Sequence, residues 1–153
     1  MEEPLTLALQ ALGRKERTVA ELGSWLRARG VVSEEVEAVV GQLAESGTLD
    51  DARFARRYAE DKRELAGWGE ERIRIALTQR GVDETDIAEA LAAGSTEEVA
   101  RAVDQLRRRG APLTDALERN RALGFLVRRG YCSETAYEAI RRASRVGDSS
   151  AEY

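Results

Sequence analysis

G-T-L-D-D-A-R-F-A-R-R-Y-A-E-D-K-R-E-L-A-G-W-G-E-E-R-I-R-I-A-L-T-Q-R-G-V, running from Gly47 to Val82, is the most patterned stretch of the chain. Asp50 and Asp51 stand where a helix begins, because a carboxylate there accepts the free N–H groups of the first turn and complements the positive end of the helix dipole. The spacing predicts a helix from about Ala52 to Leu65. Phe54, Ala55, Tyr58, Ala59, Lys62 and Leu65 recur at steps of three and four and give one apolar stripe. Gly67 stops this helix. With Gly69 as the next N-cap, Trp68 and Ile73 take the two positions of a hydrophobic staple. A second helix, Glu70 to Arg80, ends at Gly81, a residue suited to the left-handed conformation that closes a helix, and Val82 folds back as the apolar contact after it.

Working outward, the same pattern recurs. Leu26-Arg27-Ala28-Arg29-Gly30-Val31 aligns with Leu77-Thr78-Gln79-Arg80-Gly81-Val82 and with Leu126-Val127-Arg128-Arg129-Gly130-Tyr131, with glycine spacings of 51 and 49. Leu22, Ile73 and Ala122 precede the three leucines by one helical turn, and Val36, Ile87 and Ala136, then Val40, Leu91 and Ile140, follow the glycines in register. Each copy reads as helix, glycine turn, helix, preceded by a further helix that begins near Pro4, Asp51 or Thr96. Thr18-Val19-Ala20-Glu21 is a capping box for the second helix of the first copy. Ser33 begins its third helix and Gly47 ends it. Asp83 or Thr85 caps a short helix through Leu91, and Ala93-Gly94-Ser95 marks a break. In the third copy the helices are expected over Thr96 to Arg109, Thr114 to Arg129 and Ser133 to Arg145. The fold expected is therefore all-α: repeats over residues 1–48, 49–94 and 95–146, helix-turn-helix-like, forming an elongated curved solenoid, with 147–153 a disordered tail.

Composition agrees with that class. Two prolines in 153 residues, and abundant Ala, Leu, Glu and Arg, favour helix over strand. No apolar run is long enough to span a bilayer and the first residues lack a secretory pattern, which places the chain in the cytoplasm. The one cysteine, Cys132, excludes an internal disulfide and is expected as a small buried apolar residue. Net charge is −4, unevenly spread: residues 1–94 carry 13 cationic and 19 anionic side chains, residues 95–145 carry 11 and 7. An acidic whole argues against tight, sequence-independent nucleic-acid binding. The basic third suits an acidic partner surface or a few phosphates.

Catalytic patterns are missing. The chain has no histidine, no nucleophile elbow, no P-loop and no cysteine cluster. Asp50 and Asp51 point different ways at a helix start and have no third ligand at a fitting spacing, so they read as caps and not as a metal pair. Gly67-Trp68-Gly69 is half a dinucleotide fingerprint, but Arg72 holds the last glycine position and no strand precedes it. Trp25, Phe54, Phe125 and Tyr137 fall on apolar stripes and read as core. The expectation is a protein that is not an enzyme and takes no cofactor or metal.

The motifs L-D-D-x-R-F-A at Leu49 to Ala55, G-x-G at Gly67 and Gly69, R-I-x-x-x-L at Arg72 to Leu77 and G-V at Gly81, together with R-A-V-D-Q-L-R-R-R-G-A-P-L at Arg101 to Leu113 and R-R-G-Y at Arg128 to Tyr131, are similar to those of the RecX family. The resemblance covers about residues 5 to 143. It implies three tandem three-helix repeats and a bacterial regulator that binds the recombinase RecA and the RecA–DNA filament, inhibiting or modulating filament growth, ATP hydrolysis and strand exchange. Any direct DNA contact is then weak, the protein is a monomer, and ATP and Mg²⁺ belong to the partner.

Two other readings compete. A helix-turn-helix DNA-binding protein fits the two-helix glycine turns, but the candidate recognition helices open with Ser33-Glu34-Glu35-Val36-Glu37 and Asp83-Glu84-Thr85-Asp86, which phosphates repel. Only the third, ending in Arg141-Arg142, is electrostatically tolerable. A general helical adaptor fits the repeats equally well and differs only in lacking the family motifs. From the charge asymmetry, the expected partner-facing set is Arg72, Arg74 and Arg80 on the second-repeat helix and Arg128, Arg129, Arg141 and Arg142 in the third, with Trp68 as an aromatic anchor. Leu49, Asp50, Asp51, Phe54, Gly67, Gly69, Gly81 and Gly130 form the structural motif.

Overall fold

A computed structural model describes residues 2–151 of the chain, with side chains described through residue 145. All regular structure among the described residues is helical: α1 Pro4–Arg14, α2 Val19–Ala28, α3 Ser33–Glu45, α4 Asp51–Leu65, α5 Glu70–Gln79, α6 Glu84–Ala92, α7 Glu98–Arg109, α8 Ala116–Arg128 and α9 Ser133–Ala151, with a 3-10 turn at Ser95–Glu97 before α7. Two compact units divide the chain, Met1–Arg56 with Ala76–Glu89 and Arg57–Ile75 with Ala90–Tyr153, so α4, α5 and α6 supply residues to both. None of these helices is long and apolar enough to cross a membrane.

The three glycine turns are the same turn. In each, the glycine N–H donates to the carbonyl two residues before the C-cap (Gly30 to Arg27, Gly81 to Thr78, Gly130 to Val127, all 3.0 Å), and the next N–H donates to the aligned leucine (Val31 to Leu26 3.2 Å, Val82 to Leu77 and Tyr131 to Leu126 3.1 Å). This paired bonding satisfies the last carbonyls of the helix and needs a left-handed residue between them. The glycine φ values are +86°, +81° and +100°. Leu26, Leu77 and Leu126 are all fully buried, as are Leu22, Ile73 and Ala122 one turn earlier, so the alignment of the copies is also an alignment of the core.

In the first unit the core runs through Ala8 and Ala11 of α1, Leu22 and Leu26 of α2, Val36, Val39 and Leu43 of α3, and Leu49. The capping box of α2 is present: Thr18 Oγ1 accepts from Glu21 N at 3.2 Å, and the Glu21 carboxylate accepts from Thr18 N at 3.0 Å. In the second unit Ala102, Val103 and Leu106 of α7 meet Ala122 and Leu126 of α8, Tyr131, and Ala136, Ala139 and Ile140 of α9.

Several expectations are corrected. Of the aspartate pair only Asp50 caps α4, its Oδ1 accepting from Arg53 N at 3.1 Å. Asp51 turns away and accepts from Val19 N at 3.0 Å, supplying an acceptor to the first turn of α2 instead. Leu65 lies at the end of the α4 stripe and is 85% exposed. Tyr137 is 56% exposed, and Cys132, just ahead of α9, is exposed as well. Trp25 is half-buried and carries the Arg29 guanidinium 3.6 Å from its ring centre. Helix α7 starts at Glu98 after the 3-10 turn and not at Thr96. Helix α8 starts at Ala116, later than Thr114, because Asp115 is the better cap and its Oδ1 takes the Glu118 N–H at 2.8 Å. Helix α9 continues past Arg145 to Ala151, where a disordered tail was expected from residue 147; Glu152 and Tyr153 lie outside the described residues.

Candidate functional site

The start of one second-in-repeat helix meets the end of the next, and it does so twice. At the first clasp, Thr18 Oγ1 at the start of α2 donates to the Arg80 carbonyl at the end of α5, 2.7 Å away. At the second, Gly69 N at the start of α5 donates to the Arg129 carbonyl at the end of α8, 2.8 Å away, and Glu71 N donates to the Gly130 carbonyl at 3.0 Å. Free donors of one helix thus satisfy free acceptors of another. The second clasp is tight enough to require glycine: a Cβ on Gly69 would overlap the Gly130 carbonyl, and one on Gly130 would overlap the backbone and Cβ of Arg72. The glycines that the sequence assigns to separate turns therefore touch.

The two clasps differ in charge. At the first, Arg80 is held by Glu21, with Nη2 3.0 Å from Oε1 and Nε 3.2 Å from Oε2, and its guanidinium also lies 4.5 Å from the Phe54 ring centre. Burial raises the Glu21 pKa, but the Arg80 bond and charge and the Thr18 hydrogen bonds outweigh it and hold the carboxyl below its ordinary value. At the second clasp the position aligned with Glu21 is Arg72, and the position aligned with Arg80 is Arg129. Where the first clasp has an ion pair, the second has two cations. Arg129 turns to donate to the Ala66 carbonyl at 3.3 Å and lies 4.7 Å from the Phe125 ring centre, while Arg72 stays exposed and stacks 4.2 Å from the Trp68 ring centre.

Trp68 is also approached by Lys62 at 4.7 Å and by Tyr58 edge-on at 6.4 Å. Its half-buried indole serves as a platform for cations, each contact worth on the order of 1 kcal/mol. Among the other expected partner-facing residues, Arg128 is exposed and makes no ion pair among the described residues. Arg141 and Arg142 are exposed and both bond Glu138, at 2.6 and 3.0 Å. Arg74 is half-buried with a partner of its own. The second unit therefore brings Trp68, Arg72, Arg128 and Arg129 to the turn joining α8 and α9, whereas Arg80 belongs to the first unit and is spent on Glu21.

Beside the second clasp lies a groove of about 500 Å³. Its lining includes Ile75 and Val127, 53% and 46% exposed, together with Arg72, Arg128 and Cys132. Sequence reading missed Ile75 and Val127 as surface residues. The available signal was that each lies off the buried register set by Ile73 and Leu77, and by Ala122 and Leu126.

Behind the clasp is a buried polar cluster. Arg63 of α4 donates to the Leu91 carbonyl at 2.8 Å and lies 3.4 Å from Glu70. Arg101 of α7 donates to the Gly94 carbonyl and lies 3.9 Å from the buried Glu98. Tyr131 donates its buried hydroxyl to the Gly67 carbonyl at 3.0 Å, and burial followed by the Glu98 charge pushes its pKa up to about 12. These groups fix the α4–α5 corner on which Trp68 and Arg72 stand. Among the described residues no group of three His, Cys, Asp or Glu side chains is arranged to hold a metal ion.

These features define an all-helical protein of tandem three-helix units in which the exposed Arg72 and Arg128 lie beside a helix-end junction. Residues 50–91 match the family model described as RecX, second three-helix domain. The chain is 33% identical over 147 residues to the regulatory protein RecX of Mycolicibacterium smegmatis, covering 91% of this chain and 78% of that protein. It is 36% identical over 148 residues to the regulatory protein RecX of Stenotrophomonas maltophilia, covering 94% and 86%. It superposes on the crystal structure of RecX from Lactobacillus salivarius with a TM-score of 0.81 at 18% identity, covering 92% of this chain and 94% of that one. The chain belongs to the RecX family.

Proposed function

We propose that this protein is a non-catalytic, monomeric, cytoplasmic regulator that binds RecA and its nucleoprotein filament and restrains filament growth, ATP hydrolysis and strand exchange. The carrying observation is the match to regulatory proteins of the RecX family over more than nine-tenths of the chain. The arginines around the second clasp support the reading, because cations without internal carboxylate partners attract an anionic surface and chiefly raise the association rate. The three repeats, 1–48, 49–94 and 95–146, are read as the binding framework, and ATP and Mg²⁺ belong to the partner.

Co-sedimentation with RecA filaments on single-stranded DNA, set beside RecA alone and DNA alone, tests this. Enrichment with the filament and inhibition of RecA's DNA-dependent ATP hydrolysis are expected. Pelleting with DNA alone to the same extent would instead favour the helix-turn-helix DNA-binding reading. The helix starts oppose that second reading: α3 opens with Ser33-Glu34-Glu35 and α6 with Glu84 and Asp86, placing carboxylates where a phosphate would sit.

A further inference from the structure

We infer that the groove beside the second clasp docks an acidic protein segment, with a carboxylate held between Arg72 and Arg128 and an apolar side chain seated on Ile75 and Val127. The inference rests on the filament reading and deepens it by naming the surface and the chemistry of what it receives. Internal comparison carries it. The first clasp neutralises its arginine with Glu21, whereas the second places Arg72 at the aligned position, where it makes no ion pair among the described residues. Arg128, which lines the same groove, also has no ion pair among the described residues, so two unpaired cations and two exposed apolar side chains share one lining. The Trp68 ring holds Arg72 and lowers the entropy lost when it binds a carboxylate.

The apolar part of the lining, Ile75 and Val127, separates a peptide ligand from a phosphate backbone. A nucleic-acid strand brings a negative charge at every step and would meet Glu71 as well as the arginines. A peptide sets one carboxylate against the arginine pair and an apolar side chain against Ile75 and Val127, which have nothing to offer a phosphate.

Cys132, the only cysteine in the chain, lines the groove and is exposed, so its alkylation by N-ethylmaleimide reports occupancy. The rate is measured on the full chain alone, with RecA filaments on single-stranded DNA, with DNA alone, and with an amphipathic peptide of leucine and glutamate. Filaments that pellet the protein are expected to slow alkylation about tenfold or more, and the peptide to slow it in a dose-dependent way that its leucine–lysine counterpart does not reproduce. Ile75→Ser and Arg128→Glu are exposed substitutions whose helical circular dichroism and melting are checked first. Each is expected to abolish the protection and weaken filament binding about tenfold. Filaments that pellet the protein while Cys132 reacts at its free rate would overturn the groove and leave the filament reading standing. Protection by the peptide without pelleting would do the reverse. Protection by DNA alone would overturn the carboxylate assignment, and absence of both pelleting and peptide protection would overturn both.

Discussion

Glu98 shows how much a single side chain can contribute to pH dependence here. It lies on the inner side of α7, 7% exposed, facing Glu70 of α5, Arg63 of α4, Tyr131 after α8 and Arg101 of its own helix. Burial, then the Glu70 carboxylate, raises its pKa from an ordinary 4.5 to about 7, with Arg101 and Arg63 pulling it back. A carboxyl raised in the folded state keeps a proton that the unfolded chain has already lost. Its effect is therefore a loss of stability as pH rises from about 4.5 to about 7, with no further change above. Glu98→Gln removes that titration. The melting temperature of the variant relative to wild type is expected to rise by ~2 °C or more between pH 5.5 and pH 8. A constant difference across that range would show that Glu98 stays ionised. At Tyr131 the buried hydroxyl is the only part that Phe lacks, so Tyr131→Phe leaves the Gly67 carbonyl unpaired. The expected cost is about 1–2 kcal/mol by denaturant unfolding.

Helix ends, more than helix faces, distinguish one element of this protein from another. Thr18 caps α2 and also donates to Arg80, so Thr18→Ala should cost about 2 kcal/mol, more than an ordinary cap, and should release the α5 end. The three turn glycines share one local geometry but not one environment. A Cβ at Gly30 meets nothing within 4 Å, whereas one at Gly81 meets Ala20 and one at Gly130 meets the Arg72 backbone. Gly30→Ala should thus show only the left-handed backbone cost, ~1 kcal/mol, and Gly130→Ala that cost plus ~1–3 kcal/mol of overlap, compared by thermal melts of the two variants. Equal losses would mean that the second clasp yields easily. Leu126→Ala, at a fully buried position beside the third turn, is expected to cost about 2–5 kcal/mol.

Across the whole molecule the cations gather where the sequence is least acidic, and ion pairs then divide them into two groups. Arg141 and Arg142 share Glu138, and Arg129 binds a carbonyl, while Arg72 and Arg128 make no ion pair among the described residues. Reversing Arg128, Arg129, Arg141 and Arg142 to Glu together is expected to leave the helical circular-dichroism signal largely intact and to reduce inhibition of RecA's ATP hydrolysis sharply. Wild-type inhibition should itself weaken as added salt shortens the screening length below the ~8–10 Å of physiological buffers. If the quadruple variant inhibits as well as wild type, the basic third is not the binding face.

The all-helical class, the repeat spacing, the capping box at Thr18 and the burial of Leu26, Leu77 and Leu126 were legible in the sequence, because apolar periodicity and turn chemistry act over a few residues. Most helix bounds fell within a residue or two for the same reason. Asp51 was misread as a second cap because its acceptor role depends on Val19, far away in sequence, being brought to its carboxylate. Tyr137 and Leu65 satisfy the helical period yet face outward, since periodicity defines a stripe but not whether another element covers its end. The arginines carried the least local information. Nothing in the order of residues says that Arg80 finds Glu21 or that Arg72 takes the aligned place beside Arg129, because charge pairing is settled by which helix ends meet. Sequence alone determined the helices and their repeat, through local sterics and hydrophobic spacing; only the tertiary structure decided which glycines are crowded and which cations remain open to a partner, through contacts between residues some sixty positions apart.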